Sequence, residues 1–381
     1  MNSTEILARL VGFDTVSSKS NLNLIAWVKT LLDQHGIPYR ITSSDDAQKQ
    51  NLFASVGPAA PGGVILSGHS DVVPVEGQKW NSDPFKLTER DNRLYGRGTC
   101  DMKGFVAAAL AILLQAKAAN LAKPIHLALS YDEEVGCLGV PRLIEDMRGH
   151  IAPVDVVIVG EPTEMSPVGQ HKGSFRAKIS LTGKGAHSSR PDLGVSAIHY
   201  AGKVLQGLSE YADVMKANPD ASSALVPNYT TMNTGLIHGG TAPNIIAQNC
   251  DLTLAVRFMP EHTVEMHLQK LREIVANVTG RMQAHAEDCT GEVIVEHAIP
   301  ALRPEPHGQA AAFCAALGSP RELGAVSFGT EAGHFQQAGF STIILGPGSI
   351  HQAHKPNEFI EKDQMAEVDI FLEKMLKTLV A

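Results

Sequence analysis

Three short apolar runs constrain this chain most: residues 63–66, 125–129 and 154–159, separated by segments of helix length. Each is too short for a helix and none alternates with polar residues, the pattern of strands buried on both faces of a parallel sheet. Crossover helices must then cover that sheet. Residues 21–35 place Leu22, Ile25, Trp27, Val28, Leu31 and Leu32 close to helical spacing, with Gly36 where a left-handed cap belongs. Residues 105–114, the longest apolar run, fall far short of the roughly 20 needed to cross a bilayer and read as a buried helix.

From about Ser174 the period changes. Phe175, Ala177, Ile179 and Leu181 alternate with Arg176, Lys178, Ser180 and Thr182, which gives a strand one wet face. Helical stretches at 195–209 and 263–278 interleave with strands at 230–237, 250–258 and 292–296, a βαββαβ order. After residue 298 the first rhythm resumes, with a strand at 341–345 and an amphipathic helix at 363–379. The expected fold is α/β: a mixed, largely parallel sheet flanked by helices over residues 1–173 and 298–381, interrupted by an inserted α+β domain over 174–297.

Composition narrows the partners. The 381 residues are 44% hydrophobic and 19% charged, so large cores are possible and disorder is not expected. Thirty-two basic against 40 acidic side chains leave a net charge of −8, which argues against nucleic acid or an anionic membrane and for a small-molecule partner. Residues 1–10 show neither a basic start nor an apolar stretch, so the expected location is the cytoplasm. Cys100, Cys137, Cys250, Cys289 and Cys314 form no CxxC pair, so a metal would be held by oxygen and nitrogen.

Acid and histidine clusters follow the expected strands and turns: His69 and Asp71, Asp101, Asp132-Glu133-Glu134, and Glu161. Strand ends are where open α/β sheets place ligands, and so many such groups at one rim require a cation. Two divalent ions would balance the carboxylates of Asp101, Glu134 and Glu161 together with one hydroxide, while His69 and a distal histidine, His351 or His354, stay neutral. Imidazole and carboxylate without thiolate favour zinc, with cobalt or manganese as substitutes. Asp71 suits an acceptor for the other ring N–H of His69, and Glu133 a free general base. Both roles for Glu133 and Glu134 require the backbone to leave strand geometry there. Gly96, Gly98 and Gly104 give neither GxGxxG nor a P-loop spacing, which excludes a nucleotide fingerprint.

The strings SGHSDVVP (67–74), GRGTCDMKG (96–104), YDEEVG (131–136), GEPT (160–163) and AHKPNEF (353–359) resemble, in order, the metal-site motifs of the co-catalytic zinc amidohydrolases, which include aminoacylase, glutamate carboxypeptidase and succinyl-diaminopimelate desuccinylase. The resemblance implies two zinc ions, one held by His69, Asp101 and Glu161, the other by Asp101, Glu134 and His354, so it selects His354 over His351. It also implies Asp71 behind His69 and Glu133 as base. GEPTEMSPVGQHKG (160–173), GKGAHSSRP (183–191) and LGPGSIHQAHKPNEF (345–359) point within that family to enzymes acting on N2-acetyl-L-ornithine in arginine biosynthesis, with other N-acyl amino acids as the alternative substrates. Cys100 and Ser196, where relatives often carry Asn, depart from the pattern. By the same resemblance the insertion is a lid or dimerisation domain of a homodimer, His187 steadies the oxyanion in the partner's site, and Asn244 and Arg257 bind the substrate carboxylate. Glu331 is expected to receive the substrate's δ-ammonium. A metal-free binding protein is the alternative outside enzymes.

Overall fold

The structure, a computed structural model, describes residues 1–305 and 308–381. The chain divides into two compact units, Met1–Gln170 with Pro304–Gly324 and Thr330–Ala381, and His171–Arg303 with Ala325–Gly329.

The first unit is built on an eight-stranded sheet whose spatial order is Tyr39–Ser43, Gln50–Val56, Ile125–Ser130, Val64–His69, Val156–Val159, Thr342–Ile344, Val168–His171 and Gly324–Val326. The central pairings are parallel: Val64–His69 lies between Ile125–Ser130 and Val156–Val159, and Val156–Val159 also pairs with Thr342–Ile344. Antiparallel partners flank them, with Gln50–Val56 against Ile125–Ser130. The expected mixed, largely parallel sheet is what forms. Ile125–Ser130, Val64–His69 and Val156–Val159 are buried at every position, which is why they carry no polar alternation. The helix Lys103–Ala116 is apolar on nearly all sides because it is covered all round, and no helix among the described residues is long and apolar enough to cross a membrane.

One close approach fixes how this helix meets the sheet. A Cβ on Gly160, the residue before Glu161, would lie 1.9 Å from the Phe105 ring. Gly160→Ala should therefore cost about 1–3 kcal/mol by overpacking, read as a lower denaturant midpoint.

The second unit has a four-stranded sheet in the order Thr231–Gly239, Asn249–Phe258, Gly173–Thr182 and Thr290–Ile299, all antiparallel. Helices Ala197–Ala217 and Val264–Gln283 complete a βαββαβ sequence. Phe175, Ala177, Ile179 and Leu181 pack with Leu252, Leu254 and Val256 beneath Val204, Leu208 and Leu271 in that unit's own core. Ser196 is the N-cap of Ala197–Ala217, its hydroxyl accepting from His199 N at 3.3 Å, which gives serine a structural reason at that position.

Candidate metal centre

The candidate acidic and imidazole groups come from separate strand ends and turns of the first unit. His69 closes Val64–His69, Glu161 follows Val156–Val159, and Asp101 sits in the turn before Lys103–Ala116. Strand Ile125–Ser130 ends just before Asp132, whose φ of +57° breaks the alternation that would send Glu133 and Glu134 to opposite faces. His354, with φ +62°, follows the short 3-10 turn Ile350–Gln352.

The convergence centres on Asp101. Its Oδ1 lies 3.1 Å from His69 Nε2, and its Oδ2 lies 3.2 Å from His354 Nε2. Glu161 Oε1 is 3.7 Å from His69 Nε2, and Glu134 Oε2 is 3.1 Å from His354 Nε2. Two trios, His69-Glu133-Glu161 and His69-Asp101-Glu134, offer donor atoms within 4.8 Å of one another. His351 is exposed, and it is His354 that meets Asp101 and Glu134.

The electrostatics describe a site short of positive charge. Burial, reinforced by neighbouring carboxylates, pushes Glu133 and Glu161 well above the usual carboxylate range and Glu134 to about 7. Burial acts on Asp101 in the same direction, but hydrogen bonds from His354 and His69 outweigh it and hold its pKa down. Hydrogen bonds to Asp101 and Glu134 push His354 to about 10, while on His69 the carboxylates overcome burial. Glu134 Oε1 is buried with no hydrogen-bond partner. Four carboxylates facing two imidazoles, one oxygen unpaired and no thiolate among them, fit a divalent cation, whose field would reverse this carboxylate repulsion. The donor set would hold such ions as His69, Asp101 and Glu161 on one side and Asp101, Glu134 and His354 on the other.

Asp71 differs from expectation. The acceptor for His69 Nδ1 is the Asp71 backbone carbonyl at 2.9 Å, whereas the Asp71 carboxylate is 3.7 Å away. That carboxylate instead accepts from Glu133 N at 3.1 Å, Glu134 N at 3.3 Å and the Ser17 hydroxyl at 2.7 Å. A carboxylate is the stronger acceptor for a turn with several free N–H groups, so the carbonyl is left for the ring. Ser17 was not legible as a site residue, because nothing local links it to a position 54 residues away. Cys137 was missed as well, although its place four residues after Glu133 was a signal: its thiol donates to Glu133 Oε1 at 3.4 Å. Cys100 is buried, donates to Ser349 O at 3.2 Å and has its thiol pKa pushed up by burial, so it is a packed thiol rather than a ligand.

Glu331 is buried, and its carboxylate accepts from the hydroxyls of Ser130 and Ser67, the latter at 3.2 Å. Burial pushes its pKa up. In the second unit His187 and Asn244 lie on paired loops, with Ser188 N donating to Asn244 O at 3.0 Å. His187 Nδ1 accepts from Ser189 N at 3.2 Å, which leaves the proton on Nε2 as a donor. Arg257 is exposed on Asn249–Phe258, opposite Ser174 and Thr231. The buried Lys172 donates to Tyr229 O at 2.7 Å and is pushed down to about 8, first by burial and then by the charge of Arg257.

The chain is 36% identical over 353 residues to the acetylornithine deacetylase of Klebsiella pneumoniae, covering 91% of this chain and 87% of that protein. Against the acetylornithine deacetylase of Pasteurella multocida the identity is 33% over 390 residues, covering 98% and 96%. Among solved structures, an M20 family metallo-carboxypeptidase from Sulfolobus solfataricus aligns with a TM-score of 0.77 at 17% identity, covering 99% of both chains. A dinuclear metal binding peptidase of the M20 family from Bacillus subtilis aligns at 0.68 with 15% identity, covering 99% and 97%. These two likenesses establish the fold. The profile described as peptidase family M20/M25/M40 matches residues 65–378, from the strand that carries His69 to the last helix, and the chain belongs to that family.

Proposed function

We propose that this chain hydrolyses the N2-acetyl amide of N2-acetyl-L-ornithine to acetate and L-ornithine, a step of arginine biosynthesis in the cytoplasm. The observation that carries the reading is Asp101 facing His69 with one oxygen and His354 with the other, in a chain whose curated relatives are acetylornithine deacetylases. Zinc is the proposed metal, since the donors are imidazole and carboxylate. When bound, such ions polarise the scissile carbonyl and lower the pKa of water.

The chain's own residues do the rest. Glu133 takes a proton from the attacking water as the C–O bond forms, then delivers it to the α-nitrogen as the C–N bond breaks. Asp71 holds the Glu133 and Glu134 amides, so the base and its neighbouring ligand move as one turn. His187, with its proton on Nε2, is the donor proposed for the developing oxyanion, a role worth about 2.7–4 kcal/mol in comparable sites. Arg257 and Asn244 are proposed for the substrate carboxylate, Arg257 through a bidentate pair. Glu331 is proposed for the δ-ammonium, because its bonds to neutral hydroxyls leave its charge for a cation to meet. The second unit is proposed to form a homodimer contact.

Comparing kcat/KM on acetylornithine, acetylmethionine and succinyl-diaminopimelate tests the substrate. Acetylornithine is expected to lead by tenfold or more, on the order of one buried charge pair at about 1.4 kcal/mol per decade. A lead for either other compound reassigns the chain to another N-acyl-amino-acid amidohydrolase.

A further inference from the structure

Glu358 has no role in the chemistry above, yet it is one of the most enclosed carboxylates of the first unit, 1% exposed. Its Oε1 accepts from Cys100 N at 2.9 Å and Asp101 N at 3.1 Å, and its Oε2 accepts from Gly98 N at 3.0 Å and Arg97 Nη1 at 2.7 Å. A carboxylate offers about four lone-pair directions, so these bonds fill it and leave nothing for a metal or substrate. Arg97, equally enclosed, donates from its two terminal nitrogens to Lys355 O and Pro74 O, both at 3.3 Å, and to Gln78 Oε1 at 2.6 Å, while its Nε–H is buried without a partner. Gln78 in turn donates to His354 O at 3.1 Å. Segments 74–81, 96–101 and 354–358 are thus tied together, and two of them carry Asp101 and His354.

Stability alone does not account for such a pair. Replacing a buried ion pair with apolar groups is often neutral or favourable, so its retention has to be sought in what it holds in place. What it holds here is a turn with a strained backbone: His354 at φ +62° and Asn357 at +59° occupy the left-handed region, which costs a side-chain-bearing residue about 1–2 kcal/mol. His69 and Glu161 need no such tether, being set by the ends of buried central strands.

We propose that Glu358, Arg97 and Gln78 form a positioning clamp that holds His354 against Asp101 and so sets the affinity of the ion site made by Asp101, Glu134 and His354. The proposal rests on the metal reading of those three residues. Partners that orient ligands in this way typically change metal affinity by about 10–100-fold.

The test is cobalt(II) titration of the metal-stripped full-length protein, followed by visible absorbance and calorimetry, with thermal unfolding recorded alongside. Gln78 is only partly buried in a surface loop, so Gln78→Leu should fold and unfold as the parent does. It should weaken one of the two cobalt steps about tenfold and leave the other unchanged. Glu358→Gln, which puts an amide N–H against existing donors, should weaken that same step at least as much; if it does not fold, Gln78→Leu decides alone. Parental affinity for both steps in the folded variants would overturn the clamp, as would equal weakening of both steps by Gln78→Leu. A parent protein that takes up no cobalt would overturn the metal reading itself, and the clamp with it.

Discussion

Glu133→Gln should lower kcat by about 10²–10⁴-fold while the purified protein keeps the metal content of the parent. The substitution is isosteric, and the Glu133 backbone N–H still reaches Asp71, so the turn survives while the proton acceptor is lost. The result is informative because the geometry allows a rival role: Glu133 also lies within 4.8 Å of His69 and Glu161 in a trio able to bind metal. Were Glu133 a ligand, metal content would drop together with turnover. Retained metal with lost turnover assigns it as the base; retained turnover removes that assignment.

Asp101→Ala is expected to be more severe. Among the described residues, Asp101 is the carboxylate whose two oxygens face both imidazoles, so its removal takes a ligand from each proposed ion site. Metal analysis should find both ions lost and activity at background, with no recovery on adding zinc or cobalt. Parent protein stripped by a chelator should lose activity to the same level and recover when either metal is returned. The fold should persist, since the Asp101 N–H to Glu358 belongs to the backbone. Recovery of the variant by added metal would show that the centre does not depend on Asp101.

The parts that were legible in the sequence share a cause. Runs 125–129 and 154–159 could be read as central strands because full burial leaves Ile125–Ser130 and Val156–Val159 mostly apolar and without a wet face, and clusters at their ends could be read because a parallel sheet gathers them at one rim. Tyr39–Ser43 was not visible: as an edge strand of mixed burial it shows neither an apolar run nor clean alternation. The helix starting at Ala197 runs on to Ala217, beyond the expected residue 209, because Glu210, Asp213 and Lys216 dilute its apolar period. At the site, ligand types followed from strand ends, but the Arg97–Glu358 pair did not, since no local pattern connects residues 261 positions apart. The role of the Asp71 carboxylate was hidden for a related reason: which of its acceptors meets the His69 ring depends on the turn at residues 132–134, whose left-handed start no residue type announces.

The order of the ligands along the chain has a consequence for biosynthesis. His69, Asp101 and Glu161 precede most of the second unit in the sequence, whereas His354 and Glu358 follow it, and domains fold broadly in the order of synthesis. The residues proposed for one ion site are thus synthesised ahead of most of the second unit, and those proposed for the other are complete only after it. Filling both proposed sites would in that sense report that the second unit has already been made.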